Sequence, residues 1–341
     1  MRDVKVVSTI HSIEPAVWDQ LSAGRPFQSH RWYTFGERVM ADCPPVYLLV
    51  YEENRLIARA CLWLVRNEPL PPKFPAPLRA VVSALLRRWP LLICRSPMAN
   101  TSGLILPDTA PGASTLPELT EAALGIGRQH GASLVLFDFL NESEAQDWPS
   151  GFKTAKLPSS GTVMENRWQT MDEYLAHGNK RSRQHYKRSL REAEKLGIQL
   201  TRLTRATDVD TALTLIRNVE RKHASPPNPW MRGLLENIEM ANGSWLEAHI
   251  GDRLVGCGLI FEDNGAQMTT ALGLAENESY VYFLLVYASL EAAFEKKVLW
   301  LRWGSGAYEV KKKFGFELER DNFVTICGTN RLTNLISQLA G

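Results

Sequence analysis

The sequence predicts a mixed α/β fold built from two similar halves. Two observations carry this prediction: the same order of strands and helices occurs twice, and each copy joins its last two strands through a crossover helix. The chain has 341 residues, which corresponds to about two domains. Its composition, 45% hydrophobic and 22% charged, is that of a globular protein and excludes a disordered or fibrous one.

Each copy of the repeat opens with a hairpin. Residues 46–65 and 244–263 both predict a strand, a polar turn and a second strand. A third strand, a helix and a fourth strand follow, at 102–107, 116–130 and 133–139 in the first copy and at 266–274, 280–297 and 298–303 in the second. Because a strand-helix-strand connection of this length favours parallel pairing of the flanking strands, we expect α/β domains with mixed, α+β-like sheets.

The repeat divides the chain into an N-terminal domain, residues 1–160, and a C-terminal domain, residues 161–341. Thr115 and Glu118 have the spacing of a capping box at the start of the first crossover helix. The second crossover helix is apolar on almost every face, so we expect other elements to cover it on more than one side.

The first copy contains a proline-rich insertion, residues 67–97, that has no counterpart in the second copy. We expect the insertion to pack its apolar side on its own domain. Since Arg79, Arg87 and Arg88 lie among its apolar residues, a lid or a membrane-surface element is the alternative.

Basic residues are concentrated in one predicted helix, within residues 179–196. The whole chain has 39 basic and 37 acidic side chains, so any basic surface must be local. At a helical period the apolar side chains form one narrow stripe, which consists of Tyr186, Leu190, Ala193 and Leu196. The opposite face is a candidate phosphate-binding surface, although a solvated face is the alternative. Its proposed contacts are Lys180, Arg183, Lys187 and Arg191.

Several other chemistries lack support in the sequence. The five cysteines lie far apart, without CxxC or Cys/His ligand spacing, which is typical of reduced thiols in a cytoplasmic protein. The histidines form no zinc motif, so we expect no metal, and neither a nucleophile elbow nor a Walker sequence occurs. The N-terminus has no apolar leader, and the apolar run 81–94 is interrupted by charges, so we expect no secretory signal and no transmembrane segment.

The main candidate site follows the last strand of the second copy, within residues 303–328. Gly304 and Gly306 permit a tight turn, and a helix that starts there points N–H groups at an anion or a developing oxyanion. Tyr308 and Lys311 share a face of that helix and are suited to proton transfer or carbonyl polarisation. A simple chain turn and a tyrosine packed on a lysine stem are the alternatives.

Three other side chains have both a functional and a structural interpretation. His223 and Trp230 lie in or beside a proline-rich loop that can border a substrate cleft, whereas a surface histidine and a core tryptophan are the alternatives. We expect the cations around His185 to disfavour its ionised form, and we assign it no role.

These features together resemble FemAB-like acyltransferases of the GNAT fold. The run KKKFG, residues 311–315, with glycines, a strand and a helix before it, is similar to their K-x-x-F-G ending. The basic segment 179–196 resembles the Arg/Lys-rich helix that precedes their second GNAT unit, and the repeat agrees with two tandem GNAT-like domains. The resemblance spans residues 26–323.

The resemblance implies an enzyme that moves an acyl or aminoacyl group to the amine of a small molecule or peptide, without a metal. The leading donor is a thioester, either acyl-CoA or an acyl carrier protein. Backbone amides near Thr269 and Thr270, or those of the glycine turn, would stabilise the oxyanion. Tyr308 or Lys311 would handle a proton.

Two departures from this family leave other functions open. No R/Q-x-x-G-x-G/A run, which many GNAT enzymes use for the pyrophosphate of coenzyme A, precedes either crossover helix, and the corresponding second-half loop LAENES is acidic. Aminoacyl-tRNA is therefore the alternative donor, with the basic helix as its docking surface, while no DNA partner is expected. In relatives a tyrosine often stands directly before the motif lysine, whereas here Val310 does, with Tyr308 two residues earlier. A non-catalytic binding protein on the same scaffold is the third hypothesis.

Overall fold

The chain folds into two compact units. The part of the chain that this computed structural model describes comprises residues 2–70, 75–107, 115–276 and 279–339. The first unit consists of Met1–Gly161 together with Glu319–Gly341, and the second unit is Thr162–Leu318. The sequence placed residues 319–341 with the second domain, whereas they complete the first unit, because the last strand of the chain pairs in the first sheet.

The strands, in chain order, are β1 (Arg2–Val7), β2 (Pro45–Glu52), β3 (Arg55–Val65), β4 (Leu91–Cys94), β5 (Leu104–Ile105), β6 (Leu134–Leu140), β7 (Lys153–Lys156), β8 (Thr162–Glu165), β9 (Ile198–Leu203), β10 (Ser244–Ile250), β11 (Arg253–Asp263), β12 (Ala266–Leu274), β13 (Trp300–Trp303), β14 (Glu317–Leu318) and β15 (Phe323–Gly328). The helices are α1 (Pro15–Leu21), α2 (His30–Val39), α3 (Ala76–Arg88), α4 (Leu116–Gln129), α5 (Met171–His177), α6 (Lys180–Lys195), α7 (Val209–Lys222), α8 (Met231–Glu236), α9 (Ser279–Glu295), α10 (Tyr308–Lys313) and α11 (Arg331–Leu339), with short 3₁₀ turns at Ile10–Ser12 and Ile238–Ala241.

The first unit is built on a sheet with the strand order β1-β2-β3-β4-β6-β15-β7, and β5 pairs beside it on β3. The crossover helix α4 connects this part of the chain to β6, which runs parallel to β4. Leu119 and Ala123 of α4 are fully buried in one cluster with Val135 and Phe137 of β6. This apolar contact between helix and sheet forms the core of the unit.

The second unit repeats the pattern on a sheet with the order β14-β8-β13-β12-β11-β10-β9. Here β12 and β13 are the parallel pair, and α9 is the helix between them. Leu285 of α9 is buried with Ile260 of the sheet, and Phe294 is buried with Leu301. The tandem α/β architecture with mixed sheets is therefore confirmed, as is the expectation that α9 is covered on more than one side.

The third strand of the first copy lies elsewhere than the sequence predicts. The predicted segment contains only the two-residue strand β5, whereas β4, which we assigned to the insertion, lies between β3 and β6. All four residues of β4 are buried. An apolar run this short has no hydrophobic periodicity, so its sequence does not distinguish a strand from a continuation of the preceding helix. Within the described residues of the insertion, the inserted element is consequently α3.

The predicted capping box is also wrong. Thr115 precedes α4 with φ −92° and ψ 3°, which is not the extended conformation of a side-chain cap, and it makes no capping hydrogen bond. The Glu118 carboxylate instead lies 3.6 Å from the guanidinium of Arg2.

All five cysteines are buried and in the reduced form, without disulfide bonds. In the described ranges, no helix combines the length and the apolar composition that crossing a membrane requires.

Two glycines of the second sheet provide a test of its packing. A Cβ at Gly273 would lie 2.8 Å from the backbone nitrogen of Ile216 in α7, so Gly273→Ala should lower the free energy of unfolding by about 2 kcal/mol through overpacking. A Cβ at Gly258 would meet only Leu272, at 3.8 Å, so Gly258→Ala should cost little. Urea unfolding followed by circular dichroism measures both; equal stability of the two variants would contradict this packing.

Candidate functional site

The central feature of the second unit is the point at which β12 and β13 part. The two strands pair in parallel as far as Thr269 and Trp303. Beyond that pair, β12 continues against β11 to Leu274, while the chain after β13 turns away through Gly304 and Gly306 into α10. A Cβ added at either glycine would meet no atom within 4 Å, so the turn borders open space.

The β12 wall of this opening is irregular. The β11–β12 register shifts next to the Leu259–Thr270 pair, and Ala271 has a positive φ of 51°, as in a β-bulge. The hydroxyl of Thr269 is held inside the unit, 2.7 Å from the hydroxyl of Ser289 on α9. The Thr269 side chain is therefore engaged in a contact between β12 and α9.

The turn that follows β13 is fixed by the buried ammonium group of Lys311. Its Nζ donates to the backbone oxygens of Trp303, Gly304 and Ser305 at 3.3, 2.5 and 3.4 Å. The side chain is 8% exposed, and the Thr162 hydroxyl donates to the same Trp303 oxygen. Lys311 is thus engaged as a hydrogen-bond donor to the main chain of the candidate site.

Tyr308 is the first residue of α10 and is half-buried, one helical turn before Lys311. The residues before it, Gly306 and Ala307, both have positive φ, 84° and 49°. This sharp reversal of the chain orients α10 so that Tyr308 follows the turn directly.

A pocket of about 340 Å³ lies beside this region, between α5, α6, α9 and α10. Its walls are mainly aromatic and apolar, and its lining residues are Tyr174, Leu175, Asn179, Arg181, Ser182, His185, Phe283, Tyr287, Val310, Lys313 and Phe314. Sequence analysis missed this pocket, although the four-residue spacing of Phe283 and Tyr287 places both rings on one face of α9. Two cations, Arg181 and Lys313, stand among the rings.

His185 joins α6 to α9 in the wall of the pocket. Its Nδ1 lies 2.8 Å from the hydroxyl oxygen of Tyr287, and its ring contacts Phe283 with the centroids 4.4 Å apart. Burial, and then the charges of Arg188 and Lys313, lower the pKa of His185, as expected from the sequence. Burial also raises the pKa of Tyr287, so this part of the wall is uncharged at neutral pH.

The apolar stripe predicted for α6 is wrong in part. Leu190 and Leu196 are 43% and 47% exposed, whereas Ser189 and Ala193 are buried. Small side chains at these two positions let α6 approach α9 closely. This tertiary contact, rather than the hydrophobicity of the individual side chains, decides which face of α6 is buried. Tyr186 does face α9, where its hydroxyl lies 3.2 Å from the carboxylate of Glu291.

The four cations proposed as phosphate contacts are all exposed but have different surroundings. Lys187 and Arg191 line an open groove on the outer face of α6, and Lys180 begins that helix. Arg183 instead donates to the backbone oxygen of Gly178 at 2.6 Å, at the C-terminal end of α5. The structure thus places Arg183 in a helix-capping contact.

His223 and Trp230 do not together form the proposed edge of a cleft. Trp230 is 6% exposed and belongs to the core before α8, while His223 is exposed at the end of α7. Elsewhere in the described residues, no group of three or more His, Cys, Asp and Glu side chains is arranged to hold a metal ion.

The matching position in the first unit is built differently. The parallel pair β4–β6 ends at Cys94 and Phe137, and the next residues, Arg95 and Asp138, form an ion pair at 2.6 Å. Arg95 also pairs with Glu68 at 2.9 Å. Ionic contacts therefore bridge the strand ends of the first unit, whereas a turn with two glycines follows the strand end in the second.

Comparison with known proteins agrees with this architecture. Residues 180–312, from the start of α6 into α10, match the family described as the acetyltransferase (GNAT) domain. A tandem GNAT protein from the clavulanic acid biosynthesis pathway is similar over 96% of this chain and 99% of its own, with 12% identity and a TM-score of 0.58. FemX is similar over 98% of this chain and 100% of its own, with 12% identity and a TM-score of 0.62. A search of curated proteins found no match to the sequence.

The chain thus has the tandem GNAT fold, and most of its second unit matches the family model of the GNAT domain. FemX shares this fold over 98% of the chain, so the expected resemblance to FemAB-like GNAT proteins is confirmed for the fold.

The role of Lys311 in holding the turn can be measured as stability. Lys311→Met leaves the Trp303, Gly304 and Ser305 oxygens without this donor and should lower the free energy of unfolding by about 2 kcal/mol. Lys312→Met, at the exposed neighbouring position, is the matched control and should melt like the wild type. If the two variants melt together, the turn does not depend on Lys311.

His185 predicts a dependence of stability on pH. Its pKa in the folded protein lies below the ordinary value of 6.5, so the unfolded chain binds this proton more readily and acid favours unfolding. His185→Gln should therefore lose less stability than the wild type between about pH 7 and about pH 5. Urea titrations at both pH values measure the difference, with exposed His223→Gln as the control; identical pH profiles for wild type and His185→Gln would refute the assignment.

Proposed function

We propose that this protein is an N-acyltransferase whose second unit moves an acyl group from a thioester donor to an amine of a small molecule or peptide. The observation that carries the proposal is the parting of β12 and β13 at Thr269 and Trp303, beside an open glycine turn. This opening lies inside the segment that matches the GNAT domain.

The opening suits an extended donor because it offers backbone groups on both sides. The irregular stretch of β12 after Thr269 forms one wall, and the turn through Gly304 and Gly306 forms the other. Backbone N–H groups at such a position can hold the donor carbonyl and stabilise the oxyanion that develops on it.

The proposed reaction is direct attack on the thioester. The free amine attacks the carbonyl carbon, the C–N bond forms, the C–S bond breaks, and the amine loses a proton while the thiolate gains one. Because the Lys311 ammonium already donates to the turn, we assign it to positioning the main chain. Tyr308, at the start of α10, is the proposed group that donates a proton to the leaving thiolate.

The pocket between α6, α9 and α10 is the proposed site for the apolar part of a substrate. The rings of Phe283, Tyr287 and Phe314 offer an apolar surface, and Arg181 and Lys313 offer charge to an anionic group. α10 borders both this pocket and the glycine turn, so one ligand can occupy both.

Aminoacyl-tRNA remains the second candidate donor, on one observation. The outer face of α6 presents Lys187, Arg188 and Arg191 to solvent along an open groove. A surface of this kind binds phosphates with an affinity that falls steeply with salt.

The donor is identified by titration calorimetry and thermal melting with acetyl-CoA, a long-chain acyl-CoA and aminoacyl-tRNA, each at low and high salt. We expect a CoA thioester to bind and to raise the melting temperature at both salt concentrations. Binding of tRNA alone, abolished by high salt and by Lys187→Glu with Arg191→Glu, would replace the thioester proposal. Binding without any transfer to a broad panel of amines would support a non-catalytic binding protein.

The role of Tyr308 is tested with the donor that binds. Tyr308→Phe should lower kcat by roughly 100-fold while the Kd of the donor stays unchanged, because the hydroxyl acts on the leaving group. Glu309→Gln, at the exposed next position, is the control and should retain activity. Wild-type kcat in Tyr308→Phe would remove Tyr308 from the mechanism.

A further inference from the structure

The helix α3 of the first unit presents an apolar stripe to solvent. Leu78, Val81, Leu85 and the residue that ends the helix, Trp89, are 45%, 55%, 45% and 51% exposed. At about 100° per residue, these four positions fall within an arc of roughly 80°. We refer to them as the α3 stripe. Isolated exposed apolar residues are ordinary, but four on one face of one short helix form a continuous surface.

The α3 stripe is not the face by which the helix is attached. Leu86 is the buried side chain of the helix, at 9% exposure, and it lies outside the arc of the stripe. The Arg66 guanidinium donates to the backbone oxygen of Arg87 at 2.8 Å, which fixes the C-terminal end of α3. The helix is thus held through other groups, and the stripe is left for a partner.

The charged residues of α3 itself are all of one sign. From Ala76 to Pro90 the sequence contains three arginines and no acidic residue. Arg87 and Arg88 are exposed, and at the helical period Arg88 falls on the border of the stripe. Arg79 and Arg87 fall on the remaining, polar side of the helix. A helix with an apolar face and only cationic charges on its polar side complements a partner that is apolar inside and anionic at its surface.

We propose that α3 binds in the plane of an anionic phospholipid surface, with the α3 stripe in the acyl region and the arginines on lipid phosphates. The indole of Trp89 suits the headgroup level, where one edge is apolar and the other hydrated. The long arginine stems can reach the phosphates while the stripe is buried. A second copy of α3 fits less well, because antiparallel pairing would bring arginines together without a carboxylate to neutralise them.

The binding predicted from one short helix is reversible and depends on lipid charge. The apolar area is small, so the attraction of each basic residue for anionic lipid is needed in addition to burial. The dependence of binding on lipid charge distinguishes this proposal from nonspecific adsorption of an apolar surface.

The test is co-sedimentation of the full-length protein with vesicles of phosphatidylcholine alone and of phosphatidylcholine mixed equally with phosphatidylglycerol. We expect binding to the mixed vesicles only. Leu78→Ser with Leu85→Ser should lower the partition coefficient by about tenfold or more, from the loss of apolar burial. Arg87→Glu with Arg88→Glu should lower it to a similar extent and abolish its salt dependence.

Matched controls separate α3 from the rest of the surface. Leu299→Ser alters a leucine that is 63% exposed in the second unit, and Arg128→Glu alters an exposed arginine on α4; both should bind vesicles like the wild type. Equal binding to both kinds of vesicle, or equal loss in a control, would overturn the proposal. So would a dimer in analytical ultracentrifugation that Leu85→Ser dissociates without any vesicle binding, since the stripe would then serve a second copy.

Discussion

Main-chain oxygens at the end of a buried strand need donors, and in the second unit this requirement determines the shape of the site. Where β13 ends, the Lys311 ammonium and the Thr162 hydroxyl both donate to the oxygen of Trp303. The ring of Trp303 stacks on Phe316 with the centroids 4.0 Å apart, which holds the strand end from the other side. With these partners in place, the chain can leave β12 without burying unsatisfied carbonyls. The opening between β12 and β13, the glycine turn and the position of α10 all depend on that arrangement.

Sequence analysis succeeded where local patterns are long. The hairpins β2–β3 and β10–β11 were predictable because two apolar runs flank a polar turn, and the crossover helices α4 and α9 because each helical segment is longer than ten residues. It failed at β4, whose four apolar residues carry no period of their own. The aromatic pocket was missed because it exists only once α6 packs on α9, a contact between residues a hundred positions apart. Lys311 was identified as important, but its partners, three backbone oxygens, leave no trace in the sequence.

The two units show how one topology supports different roles. Both contain a parallel strand pair joined across a helix, and in both the pair stops after four residues of register. In the first unit, charged residues follow the pair at once, and burial raises the pKa of Asp138 despite the opposing effect of Arg95. A ligand there would have to separate a largely desolvated ion pair. Glycine residues occupy the corresponding stretch of the second unit, so a substrate can bind there without separating an ion pair.

The position of β15 between β6 and β7 has a consequence for folding during translation. Both neighbours of β15 are translated before residue 160, whereas β15 itself is translated after the whole of the second unit. The strands of the second unit all lie between these two events, so that unit can mature while the first sheet still lacks a member. During this interval the apolar strand β6 has an open edge, which is where unrelated chains pair and aggregate. The first sheet therefore cannot be completed until the whole of the second unit has been translated.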